Sequence, residues 1–162
     1  MKRLIATVAA LGSVFLMALP AQAQGAGAIS VTQTFHNAVQ TFVPPDPNAV
    51  QPCTGVSGTL TITFNGVAHS TVLTSGVGAG TGWATFTATG TFSFAGSDGV
   101  NFSGRFTAWD GQNLNLQNFA ATAILVVHGT GTDGSSLTFR DVAHFSVSAS
   151  GMTLSFDKPT CG

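Results

Sequence analysis

The chain contains no glutamate and no tyrosine, and only 7% of its 162 residues are charged, about a quarter of the usual share. A long exposed helix or a coiled coil draws on Glu, Lys and Arg, so their scarcity excludes both. A disordered chain needs high charge and few aromatics, whereas 13 Phe and 44% hydrophobic residues stand here. No P-loop, no G-x-S-x-G elbow and no HExxH is present. Gly129-Thr130-Gly131-Thr132-Asp133-Gly134 fits GxGxxG formally, but it lies between two strand-like runs and reads as a glycine-rich hairpin.

The first 23 residues read as a secretory signal peptide. Lys2 and Arg3 precede the apolar run Leu4 to Leu19, Pro20 breaks it, and Ala21-Gln22-Ala23 offers small residues at a cleavage site. No later stretch approaches 18 apolar residues, so no membrane helix is expected after cleavage. Residues 24–162 then form a single domain with 3 basic and 6 acidic residues, a net charge of −3. Three cations cannot neutralise a phosphate track, which argues against a nucleic-acid partner. The expected location is secreted and extracellular. Cys53 and Cys161 both fall in the exported part, and an even count in an oxidising compartment points to one structural disulfide.

Period-two alternation of Thr, Val, Ile and Phe, interrupted by Gly, Asn, Asp and Ser, predicts an all-β chain with no helix longer than two turns. Eight strands are expected, near 29–43, 57–64, 67–74, 82–95, 99–109, 117–129, 135–148 and 152–157. Asn65-Gly66 is a type I′ hairpin signal between the second and third. That hairpin would put Phe64 beside Val67 and turn His69 to the apolar side with Ile62. Phe86, Phe92 and Phe94 share a face, as do Val100, Phe102 and Phe106. Leu137, Phe139, Ala143, Phe145 and Val147 share another with Asp141 among them, and Met152, Leu154 and Phe156 form the last. Eight short-looped strands can close into an antiparallel up-and-down β-barrel, with a two-sheet β-sandwich as the alternative. In an eight-stranded meander Cys53 and Cys161 start at opposite ends. The proline-rich connector from Pro44 to Pro52 would have to run along the wall to join them, and nine residues at ~3.1 Å each reach about 28 Å.

Candidate chemistry is sparse. His69 and Asp141 are the two polar residues expected on apolar faces, and with Phe86, Phe102 and Phe139 they are the candidate ligand-binding residues. His36, His128 and His144 alternate away from the apolar set, so no metal site is expected. No catalytic residue and no cofactor is assigned, because no nucleophile or oxyanion motif accompanies Asp141 or His69. Trp109 and Arg105 share the face opposite Phe102 and Phe106, where they could recognise a surface.

The segments Thr34-Phe35-His36-Asn37, Leu114-Asn115-Leu116-Gln117-Asn118, Asp141 to Val147 and Ser155-Phe156-Asp157-Lys158-Pro159 together resemble an uncharacterised family of small secreted actinobacterial proteins. The resemblance spans about residues 30 to 161 and implies an exported single domain, with no activity or site residues attached. Three functions are therefore weighed. The first is a secreted protein holding a small apolar ligand inside the barrel. The second is an extracellular surface or matrix interaction protein with a filled core. The third is a small enzyme using the inward Asp or His, and the missing motifs weigh against it.

Overall fold

The computed structural model describes residues 27–115, 117–151 and 153–162. The expected signal peptide, Leu116 and Met152 lie outside them. The described chain is all-β, one antiparallel up-and-down sheet without a helix. Its strands are β1 (Ala28–Phe42), β2 (Gly58–Leu73), β3 (Gly82–Gly96), β4 (Asn101–Leu114), β5 (Phe119–Gly131), β6 (Ser136–Val147), β7 (Thr153–Asp157) and β8 (Thr160–Cys161). Each of β1 to β7 pairs with its sequence neighbour, and β8 continues along β6 where β7 leaves off. Among the described residues no ladder joins β1 to β7 or β8, so the sheet is not closed by hydrogen bonds.

The strand count is right only by cancellation. The Asn65-Gly66 hairpin does not form: β2 runs through it, with Asn65 opposite Thr89 and Gly66 opposite Ala88. Two expected strands are thus one, and a short β8 that was not expected follows the last expected strand. The Asn-Gly pair has a different task. Asn65 Oδ1 accepts a hydrogen bond from the Asn37 amide at 3.0 Å, inside a bulge of β1 where Asn37 takes φ 48°. Gly66 stands opposite Phe35 across the β1 ladder, and a Cβ there would meet the Thr87 carbonyl oxygen of β3 at 2.7 Å. The bulge interrupts the β1 edge, which blunts a surface that would otherwise template further pairing.

With a straight β2, Phe64 and Val67 lie on opposite faces. His69 therefore turns outward, correcting the expectation that it joins Ile62. Its Nδ1 meets the Thr32 hydroxyl at 2.8 Å and its Nε2 lies 3.3 Å from that of Thr71. The inner face holds Phe42, Ile62, Phe64, Phe86, Phe92, Phe94, Leu137 and Phe139, all buried in one cluster, with Phe102, Phe106, Leu125 and Val127 packed against it. Residues from six strands thus share a core, each fully buried Phe contributing about 1.5–3 kcal/mol.

Glycine alternates with phenylalanine across that inner face. Phe64 sits opposite Gly90, which sits opposite Phe106, and Phe92 faces Gly104, which faces Gly129. These glycines have no space for a side chain. A Cβ on Gly90 would run into the Thr63 carbonyl oxygen, one on Gly104 into the His128 carbonyl oxygen, and one on Gly129 would meet the Phe92 ring at 2.6 Å. Large beside small is how a strongly curved sheet fits bulky rings on its concave side.

The connector also differs from expectation. Because the final strand (β7 with β8) is the seventh pass of the meander, it finishes at the end of the sheet where β2 begins, and no traverse is needed. The segment from Val43 to Ser57 is folded into turns rather than extended. The amides of Asp46 and Ala49 bond back to the carbonyls of Val43 and Asp46. Buried Gln51 accepts from the amides of Cys53 and Thr54. Cys53 bonds to Cys161 with Cα atoms 5.8 Å apart, tying the β1–β2 end of the sheet to β8. Such a bond fits an oxidising compartment. Among the described residues no helix is long and apolar enough to cross a membrane.

Two outcomes are expected. Replacing both Cys53 and Cys161 by Ala opens a loop of 108 residues and should cost about 4–5 kcal/mol in denaturant melts. Hydrogen exchange should then rise first in residues 43–57 and 158–162. Gly104→Ala should destabilise by roughly 1–3 kcal/mol, since backbone must move, whereas Thr107→Ala, on the exposed outer face of the same strand, should stay within about 0.5 kcal/mol.

Candidate functional site

Inside the curved sheet lies a cavity of about 170 Å³. Its wall is built from Phe42, Leu60, Ile62, Phe86, Phe92, Phe94, Phe106, Leu125, Val127, Leu137 and Phe139, and Pro47, Asn48, Gln51 and Pro52 of the connector complete it. The disulfide and the Gln51 hydrogen bonds hold that connector in place, so the loop is part of the site rather than an appendage.

Two carboxyl groups interrupt the apolar wall, Asp110 and Asp141. Strand register explains both. On β6, Asp141 has the parity of Leu137 and Phe139 and so points inward at 4% exposure. On β4, Asp110 has the parity of Phe102 and Phe106, and it pairs with Phe86 on one side and Ala123 on the other. A third carboxyl stands behind Asp141. Asp157 of β7 pairs with Ala143, which makes it the diagonal neighbour of Asp141 on the same face. Burial, then the hydrogen bond that the protonated Asp141 donates to Asp157 and the charge of Asp157, push the Asp141 carboxyl up from 3.8 to about 6. Burial also raises Asp110, while the Gln112 amide, donating to Asp110 Oδ1 at 3.0 Å, opposes the shift. Asp141 Oδ1 and Asp157 Oδ1 are buried without a hydrogen-bond partner. Among the described residues no ion pair compensates them, and no three metal-ligating side chains form a group.

The candidate residues from the sequence separate accordingly. Asp141, Phe86 and Phe139 line the cavity, and Phe102 packs against the same core without lining it. His69 lies on the outer face, away from all of them. The sequence reading missed Asp110 and Asp157. The alternation Phe102, Phe106, Asp110 on every fourth residue carried the signal for the first. The second was hidden by an inverted face: Leu154 and Phe156 were expected inward, yet they point out, Leu154 at 60% exposure and Phe156 stacked on His144 at 5.6 Å between ring centroids. Hydrophobicity set that expectation, whereas the Ala143–Asp157 register decides the face. Trp109 lies on the outside across Gly111, where a Cβ would come within 2.6 Å of its ring.

No family model, curated protein or solved structure matches the chain.

A carboxyl with a raised pKa binds its proton more tightly in the folded state, so its contribution is full below 3.8 and is lost as pH rises through about 6. Asp141→Asn should therefore gain stability on the wild type between pH 4 and pH 8, by roughly 2–3 kcal/mol at the upper end. Urea denaturation of both proteins at the two pH values checks this; an equal difference at both would place the titration elsewhere.

Proposed function

We propose that the protein is a secreted binder of a small apolar molecule, held inside a sheet rolled into a barrel whose seam is bridged by the Val43–Ser57 connector. The observation that carries the reading is the cavity itself. A small all-β core ordinarily fills its interior with side chains. Here a space of about 170 Å³ remains, walled by at least six aromatic rings. An apolar cavity of about 150 Å³ stays dry and admits a molecule the size of benzene. The disulfide and the sequence of residues 1–23 support export. The missing nucleophile and oxyanion-hole motifs favour binding over catalysis.

A second reading draws on the outer face. Trp109, Ile124 and Val142 stand in one cross-strand row there, beside outward Phe156. That row favours contact with an extracellular surface, and it predicts that filling the cavity changes nothing.

Native mass spectrometry of the protein purified from its own host should find a bound small molecule. Ala108→Phe, which places a ring in the cavity, should abolish the adduct while the fold melts within a few degrees of the wild type. Apoprotein alone from the wild type, under conditions that keep non-covalent adducts, would overturn the binding reading.

A further inference from the structure

Resting on that reading, we infer that the cavity takes an apolar molecule of about one ring in size that carries a single cationic amino group, with the ammonium seated against Asp141. The cavity has a sided chemistry. The ladder places Phe42, Phe92 and Phe94 toward one end of the wall, while Asp110, opposite Phe86, and Asp141 bring carboxyls to it farther along. Asp141 is 4% exposed and its Oδ1 has no partner, although a buried carboxylate ordinarily finds a cation or several donors.

The surrounding elements supply no such cation. On β4 the inward groups are Asp110 and the Gln112 amide, which donates to that same Asp. On β5 the inward residues near Asp141 are Ala121, Ala123 and Leu125. On β6 itself Arg140 and His144 face outward, and His144 is engaged with Thr122. From β7 comes only Asp157, another carboxyl, while Lys158 lies over the outer ring of Phe156 at 5.2 Å. The connector contributes Gln51, whose oxygen already accepts from Cys53 and Thr54.

Asp157 and Asp110 are both carboxyls, the Val142 amide is the one backbone donor to Asp141, and the missing element is a positive charge. An alcohol offers one donor and no charge. An ammonium offers three donors and neutralises a carboxylate that burial otherwise disfavours. A carbonyl head is an acceptor without a donor, so it would meet the Asp141 carboxylate with repulsion rather than a hydrogen bond.

The oxidised protein is titrated with toluene, benzyl alcohol and benzylamine, followed by calorimetry at pH 8 and pH 5. Benzylamine should bind at least tenfold more tightly than benzyl alcohol at pH 8. That advantage should shrink at pH 5, because Asp141, raised to about 6, takes up a proton and its charge is lost as pH falls. Asp141→Asn should erase the advantage and leave toluene binding intact, and retained toluene binding shows that the variant folds. If that variant does not fold, the pH dependence in the wild type decides. Toluene or benzyl alcohol binding as well as benzylamine at pH 8 would overturn the amine inference and leave the cavity reading standing. No binding of any of the three would overturn both.

Discussion

The structure depends on the contact between phenylalanine rings and strand glycines on one face of one sheet. Phe64 and Phe106 stand opposite Gly90 and Phe92 opposite Gly104; a Cβ on Gly90 or Gly104 would strike the backbone of the neighbouring strand, and one on Gly129 would strike the Phe92 ring. The sheet curves where rings and bare backbone alternate, and that curvature brings residues of β1 and β6 into one core without a ladder between them. Charge is scarce for the same reason. A chain that buries one face in rings and covers the other in threonine has few positions where a charge is useful, and the ones it keeps on the inside stand out.

The connector and disulfide follow from topology. An odd number of passes sends the last strand back to the end where β2 begins, so Cys53 and Cys161 meet there and clamp the loop over the interior. Backbone bonds seat the loop on the sheet, from the Gly58 amide to the Ala49 carbonyl and from the Ser97 amide to the Ser57 carbonyl. Gln51, buried at 4% exposure, organises the residues around Cys53, and the covalent bond anchors that knot to the last strand. The loop that the disulfide anchors also contributes Pro47, Asn48, Gln51 and Pro52 to the cavity wall.

Much of this was legible in the sequence. The all-β class, the inward rows of Phe86, Phe92 and Phe94 and of Leu137, Phe139 and Asp141, and the disulfide pairing all follow from period-two alternation and cysteine count. What failed was local turn chemistry against tertiary context. Asn65-Gly66 carries a hairpin signal, but Asn65 spends its side chain on the β1 bulge and Gly66 lets β2 lie close against the Thr87 carbonyl of β3, so a continuous strand won. One wrong turn then reversed the face of His69 and hid the odd number of passes. Hydrophobicity misled at Leu154 and Phe156 because an edge strand takes its face from its register with β6, and that register turned Asp157 inward beside Asp141. Carboxyls brought to one face from β4, β6 and β7 have no spacing signature to read.

The central claim is that the concave face encloses a real, dry, ring-sized space. A crystal of the oxidised protein pressurised with xenon tests it most directly. The account predicts one xenon site bounded by Phe86, Phe106, Leu125 and Phe139, with the backbone unmoved. An interior in which those side chains have closed upon one another, with no xenon bound, would contradict it.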